Sequence, residues 1–333
     1  LLDAGGNATV SDADSSNFNG GKLTVQVTTR RVDGQDVLFI RDQVAGANQV
    51  VLSGASIMYN GLVIGTFTGG SNGNPLVVTF TSNANATTVA ALVQNLAYRN
   101  SNGSDPSTTQ RTVSISMDDG AGGSSSVSTV VVDVVAVNDA PLVNVTGTNP
   151  TYTENTPAVQ LFSGATINTV EPGQKVAQMT FTVSNVANGA AEKLVIDGSD
   201  VTLVNGTSVV TNNNGLVVTI SVISGTASVT LSSSAGLDTA TAQTILNTMA
   251  YRNDSESPNT ANRVVTLSTV SDDGGSANGG VPTAAVSVFS TVTVVGVNDA
   301  PVLVGGPYSL PAINEDTVSN GLRVSTLLAN YTL

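Results

Sequence analysis

Two short motifs each occur twice, in the same order. Ala97-Tyr98-Arg99-Asn100 recurs as Ala250-Tyr251-Arg252-Asn253, and Val137-Asn138-Asp139-Ala140-Pro141 recurs as Val297-Asn298-Asp299-Ala300-Pro301. Other landmarks keep step between them. The run Arg111-Thr112-Val113-Ser114-Ile115 is answered by Arg263-Val264-Val265-Thr266-Leu267, and each ends in an acidic glycine turn, Asp118-Asp119-Gly120 and Asp272-Asp273-Gly274. Self-similarity of this kind marks a tandem array, so whatever fold one copy takes, the other must take too. Each copy is long enough to be a domain of its own.

Most segments alternate apolar and polar residues and are rich in Val, Thr and Ile, which is the pattern of half-buried strands. Lys22–Val27, Val77–Phe80, Met179–Val183 and Val217–Val222 are examples. Gly, Asn and Asp punctuate them at the spacing of a β-sandwich. One segment per copy breaks the alternation. Val89, Leu92, Val93 and Leu96 fall at helical spacing, as do Ile245, Leu246 and Met249, with Asp238 placed to cap the second group. The expected fold is therefore all-β, in tandem sandwiches that each carry one short helix before the Tyr-Arg-Asn motif.

The copies are cut unevenly. The second opens with Tyr152-Thr153-Glu154-Asn155-Thr156-Pro157 before Leu161-Phe162, whereas the first opens directly at Leu1-Leu2, which aligns with Leu161-Phe162. The pattern predicts a first domain over residues 1–138 that lacks its first strand and a complete second domain over 139–298. Residues 299–333 would be a linker plus the first strand of a third, from Ile313-Asn314-Glu315-Asp316-Thr317 to Leu327-Leu328. The chain reads as an excerpt of a larger repeat protein, or as a subunit whose tail completes the next copy by β-strand donation.

Composition narrows the chemistry. There is no Cys, His or Trp. That excludes disulfides, thiol nucleophiles, histidine bases and imidazole or thiolate metal sites. Oxygen ligands remain, the set that suits Ca²⁺. The 24 acidic residues against 11 basic ones give a net charge of −13, which argues against nucleic acid and against anionic membrane surfaces. No apolar run approaches the roughly 18 residues of a spanning helix, so membrane insertion is not expected. A paired-carboxylate glycosidase would need an aromatic-lined cleft. Aromatics are 4% of the chain and the acids lie in turns and linkers, so no enzyme activity is expected.

The Asn-Asp-Ala-Pro ending of each copy, the Glu that follows it, Asp12-Ala13-Asp14, and Tyr-Arg-Asn followed by Asp105-Pro106 or Ser257-Pro258 together resemble the bacterial cadherin-like repeats. These occur in very large secreted adhesins, including those with RTX regions, and are close to the VCBS-type repeats. The resemblance covers essentially the whole chain. It implies a stack of seven-stranded sandwiches with Ca²⁺ at the joints. It places Asn138, Asp139, Glu154, Glu171, Asp272 and Asp273 at one joint. Asp12, Asp14, Asp118 and Asp119 would sit at the open end of the first domain, and Asn298, Asp299 and Glu315 (with Asp316 beside it) at the next joint. Cadherin linkers carry an acid two positions before the Asn, where this chain has Ala136 and Gly296, and its second domain has Thr169-Val170-Glu171 in place of Asp-x-Asp. That implies one ion per joint at most, or a joint held by proline and packing alone.

Simpler readings stand beside these. Asp-Asp-Gly also makes a hairpin turn without a metal, and Asn-Asp-Ala-Pro also makes a stiff linker. Arg99 and Arg252 are expected to satisfy loop carbonyls, with Tyr98 and Tyr251 in the core. The function that follows is an extracellular, Ca²⁺-rigidified structural or adhesive segment of a bacterial surface protein. Its partners would be neighbouring repeats or copies of itself. Two alternatives stay open: a surface filament or layer subunit joined by strand donation, and a carbohydrate- or cell-binding module.

Overall fold

Lys22–Thr29 shows why these residues make strands. Leu23, Val25 and Val27 turn to a core while Thr24, Gln26 and Thr28 lie on the other face. The same alternation runs through the chain, which is 44% strand and 8% helix, an all-β sandwich architecture. The structure, a computed structural model, describes residues 1–300 and 312–318. The chain divides into two units. Unit 1 holds residues 1–142 together with 168–175 and 272–283; unit 2 holds 143–167, 176–271 and the described residues from 284 onward. Unit 1 thus takes in two loops beyond residue 138.

In unit 1 the strands are β1 (Lys22–Thr29), β2 (Asp36–Ile40), β3 (Val50–Ser53), β4 (Ser56–Tyr59), β5 (Leu62–Thr68), β6 (Leu76–Phe80), β7 (Leu96–Asn100), β8 (Arg111–Met117) and β9 (Ser128–Val132). One seven-stranded sheet runs β3-β4-β5-β6-β1-β8-β9, and β2 pairs with β7. Its core includes Phe18, Leu23, Val25, Leu38, Ile57, Leu76 and Val113. Each such side chain, fully buried, contributes about 1.5–3 kcal/mol.

Unit 2 follows with β10 (Leu142–Gly147), β11 (Thr151–Thr153), β12 (Val159–Gln160), β13 (Phe162–Asn168), β14 (Val176–Val183), β15 (Glu192–Ile196) and β16 (Ser199–Thr202). Then come β17 (Ser208–Val210), β18 (Val217–Ile223), β19 (Thr226–Leu237), β20 (Ala250–Asn253), β21 (Arg263–Asp272) and β22 (Thr283–Val295). The large sheet runs β11-β22-β21-β14-β19-β18-β17, with β12-β20-β15-β16 and β10-β13 beside it. β11 lies parallel to β22, pairing Tyr152 with Val294.

The helices fall where the spacing placed them: α1 (Ala86–Gln94) and α2 (Thr239–Thr248). Asn85 and Thr88 form a reciprocal capping box on α1, and Asp238 accepts the Thr241 N–H at 2.8 Å on α2. Leu96 and Met249 lie beyond the helices; Leu96 starts β7 and Met249 caps α2. The backbone fixes how the copies align. Leu2 N–H donates to Leu96 O at 2.9 Å, as Leu161 N–H donates to Met249 O at 2.9 Å. Leu2, rather than Leu1, is the counterpart of Leu161.

Each unit is anchored by a buried arginine, and it is not the one expected. Arg252 stays outside, bonded to Asp200 and Asp254, and Arg99 lies over the Phe39 ring at 5.6 Å. Strand alternation explains this: with Tyr98 and Tyr251 turned inward, the next residue must turn outward. The carbonyl-satisfying role falls to Arg111 and Arg263, both fully buried. Arg263 Nε donates to Glu192 Oε1 at 2.6 Å, and its Nη1 donates to the carbonyls of Asn259 and Ala261. Tyr251 OH donates to the same Glu192 oxygen at 2.9 Å. In unit 1, Arg111 Nε and Tyr98 OH meet on Asp36 Oδ1 at 3.1 and 2.5 Å. Burial, then the bond to Asp36, pushes the Tyr98 hydroxyl up to about 12.

The two units differ at one edge. In unit 2, β11 covers β22; Val292 and Val294 are buried, and Tyr152 stands edge-on to Tyr251 at 5.6 Å with its hydroxyl donating to Asn253 O. In unit 1 the counterpart segment Asp133–Val137 runs on from β9 and makes no backbone hydrogen bond to any described residue. Val132, Val134 and Tyr98 are only half-buried, and Val135 is 62% exposed.

Candidate metal centre

Acidic side chains gather at three places. In unit 1, the loops 168–175 and 272–283 close on Asn138 and Asp139. Asn138 Nδ2 donates to Asp272 Oδ1 at 3.1 Å, and Asp139 N–H donates to Glu171 Oε1 at 2.9 Å. Val281 N–H donates to Asn138 O at 2.8 Å, and the Gln174 amide lies 2.6 Å from Asn138 Oδ1. Gly274 has its own reason here. A Cβ on it would stand 1.9 Å from Asn138 Oδ1, so the glycine of Asp272-Asp273-Gly274 makes room for the asparagine. Asp272 Oδ2 and Asp139 Oδ2 are sealed from solvent with no hydrogen-bond partner among the described residues. Burial pushes the Asp272 carboxyl above its ordinary range, against the opposing bonds from Gly274 N–H and Asn138. Asp273 is turned to a local task, accepting Lys175 N–H at 2.9 Å.

Glu154 lies elsewhere. It sits in unit 2 in a group with Glu256 and Asp299, one carboxylate oxygen of each lying within 4.8 Å of the others. This corrects its expected place beside Asn138 and Asp139. Two strands, β10 and β11, do the work assigned to a single first strand, so the chain has run on past β10 before it reaches Glu154. Parallel pairing then sets Glu154 beside the end of β22: its N–H donates to Val295 O at 2.9 Å, and its Oε2 accepts Val297 N–H at 2.7 Å. Asp299 follows directly. Glu154 is 3% exposed, and its Oε1 is buried without a partner. Glu256 was not foreseen. Its signal is the acid that follows the Tyr-Arg-Asn strand in both copies, Asp105 in the first and Glu256 in the second. Glu315 and Asn298 are exposed and stand outside this group, whose third member is Asp299. Asn298 Nδ2 donates to Asp299 O at 3.3 Å.

The third group is Asp12, Asp14 and Asp119 in unit 1, also within 4.8 Å of one another but open to solvent. Asp12 Oδ1 accepts Ser15 N–H and Asp14 N–H, which lower its pKa, while the bond shared with Asp12, then the charge of Asp12, raises that of Asp14. Asp119 Oδ1 accepts three backbone N–H groups, of Ala121, Gly122 and Gly123. Asp118 is drawn into the turn, accepting Lys22 and Gly120 N–H. The backbone partners of Asp12 and Asp119 lie in their own turns, while Asp118 also reaches Lys22 at the start of β1.

Only the first two groups hold carboxylate oxygens that are both buried and unpaired. Of these two, the Glu154 group also brings three carboxylates within 4.8 Å of one another, an oxygen-only set that suits a hard divalent cation. Among the described residues no helix is long and apolar enough to cross a membrane. No family model matches the chain, and no curated protein matches it.

Proposed function

We propose that this chain is a non-enzymatic, Ca²⁺-binding segment of an extracellular bacterial surface protein, of the cadherin-like kind. Its task is mechanical: each sandwich is a rod element, and cations stiffen the places where the chain enters and leaves. The observation that carries the reading is Glu154. Its Oε1 is buried and unpaired, with the carboxylates of Glu256 and Asp299 beside it. Like charges held this close repel, and a buried carboxylate oxygen left unpaired is destabilising, so a cation supplies what the site lacks. Extracellular modules bind Ca²⁺ in the 10⁻⁴–10⁻³ M range, about the concentration outside cells.

The test is a thermal melt in Ca²⁺ and in EDTA, beside the Glu154→Gln variant. At free Ca²⁺ about 100-fold above Kd, one site adds about 2.7 kcal/mol. Wild type should melt higher in Ca²⁺, and Glu154→Gln should lose the part of that gain due to unit 2. A wild-type melt identical in Ca²⁺ and EDTA removes the cation from the account.

A further inference from the structure

Asparagine followed by glycine is the pair most prone to lose its amide without an enzyme. A residue with no side chain leaves its backbone nitrogen free to approach the asparagine carbonyl. Eight such pairs lie among the described residues, at Asn19, Asn60, Asn72, Asn102, Asn188, Asn205, Asn214 and Asn278. The fold pins seven of them. Five are held through the asparagine side chain. Asn60 Oδ1 accepts Asn48 N–H at 2.7 Å, and Asn205 Oδ1 accepts Val222 N–H at 3.0 Å. Asn102 Oδ1 accepts the N–H groups of Ser104 and Asp105. Asn188 Oδ1 accepts bonds from Asn253, Asn259 and Arg263. Asn214 Nδ2 donates to Asp197 Oδ1 at 2.6 Å. The other two are held through the glycine. Gly20 N–H donates to Phe80 O at 3.1 Å. Gly73 O accepts Arg31 Nη1 at 2.9 Å, and a Cβ on Gly73 would stand 2.7 Å from Asp33 Oδ1, so this backbone is fixed.

Asn278 is the exception. It is exposed, its side chain bonds to no described residue, and a Cβ on Gly279 would have no atom within 4 Å. It sits at φ 55 in the tip of the loop 272–283, which closes through Gly280 N–H on Ala277 O at 3.0 Å. We infer that Asn278 is a site of spontaneous deamidation, and that its conversion loosens the hold of this loop on Asn138. The Gly279 nitrogen attacks Asn278 Cγ, an approach that an unpinned tip allows. The N–Cγ bond forms, the Cγ–Nδ2 bond breaks, and the displaced proton leaves with Nδ2 as ammonia. Solvent water then opens the succinimide. Addition at Cγ gives aspartate. Addition at the main-chain carbon gives isoaspartate, whose backbone runs through Cβ and Cγ and is longer by a carbon. Either product adds a carboxylate to a loop that already carries Asp272 and Asp273. Isoaspartate also lengthens the stretch between Ala277 O and Gly280 N–H. Gly280 has no room to absorb it, since a Cβ there would stand 2.9 Å from Gly275 O and 3.0 Å from Asn138 Cβ. The next residue, Val281, donates its N–H to Asn138 O at 2.8 Å, and that is the bond displaced. None of this depends on the calcium reading.

The test ages the full chain at mildly alkaline pH, native and in urea. Peptide mass mapping follows the eight pairs, and methyltransferase labelling identifies isoaspartate. In urea all eight should convert. In the native chain Asn278 should convert first, because each hydrogen bond that must open beforehand slows a pair by about 2- to 10-fold. As Asn278 converts, hydrogen exchange at Val281 N–H should quicken. It should not quicken in Asn278→Gly aged alongside, which keeps the turn at positive φ and has no amide to lose. A native chain in which a pinned pair converts ahead of Asn278, or in which Asn278 converts in urea only, overturns the site. Val281 exchange that stays unchanged once Asn278 has converted overturns the loosening.

Discussion

Replacing Glu192 with glutamine should unsettle unit 2 far more than its single-atom change implies. Glu192 Oε1 takes Arg263 Nε at 2.6 Å and Tyr251 OH at 2.9 Å; Oε2 takes the N–H groups of Ala187 and Asn188 at 3.0 and 3.1 Å. All four are donors, so a glutamine amide must point its own N–H groups at one pair of them. The Arg263 charge, fully buried, is then left without its counter-ion. Breaking a buried pair from one side costs about 3–5 kcal/mol. In a unit of this size that lowers Tm by about 10 °C. The assay is calorimetry at neutral pH on wild type, Glu192→Gln and the double variant Glu192→Leu/Arg263→Met. The double variant removes both charges and should recover most of the loss. A shift below about 2 °C for the single variant, or a double variant worse than the single, refutes the reasoning. The pH profile gives a second check. Burial raises the Glu192 pKa, but Arg263 and the two backbone N–H groups together outweigh it and hold the carboxyl below its ordinary 4.5. A depressed folded pKa means stability present above that value and lost as pH falls through the folded pKa. Wild type should lose this contribution in acid, and Glu192→Gln should have none to lose.

Asn85→Ala removes the side-chain half of the α1 capping box, leaving the residue-85 N–H on Thr88 Oγ1, and should cost unit 1 about 1 kcal/mol in urea titration. Tyr152→Phe strips the bond to the Asn253 carbonyl, buried beneath it, and should lower the stability of unit 2 by about 1–3 kcal/mol. Gly147→Ala would set a Cβ 2.0 Å from Phe289 O; backbone must shift, and the loss should be about 1–3 kcal/mol, read by the same titration.

The fold was legible because it rests on period and repetition. The alternation of Leu23, Val25 and Val27 and the cap at Asp238 are local facts that tertiary structure had no reason to override. The arginine anchors were harder. Arg111 and Arg263 were visible only as landmarks at the start of a strand, and nothing local tells that Asp36 and Glu192 lie across the core from them. The acidic groups show the same divide. Asn138, Asp139, Glu171 and Asp272 do come together in unit 1. Glu154 does not join them, because its position turns on the division of the first strand into β10 and β11. That division depends on which edge of the sheet each piece finds. Glu256 was hidden by a one-residue offset between the copies, against Asp105-Pro106 in one and Glu256-Ser257-Pro258 in the other.

The parallel pairing of β11 with β22 also decides how unit 2 meets a pull. Once a pull from the entry side has passed β10 and reached β11, a chain held there and at its exit at β22 drags two neighbouring strands in opposite directions along their common axis. The ladder from Thr151–Thr293 to Thr153–Val295, together with the Glu154 and Val297 bonds beyond it, is then sheared as a set. A hairpin at the same edge would open bond by bond, each taking the whole force in turn. Here the bonds must fail together, so a strand joined by three residues acts as a latch for the whole sheet.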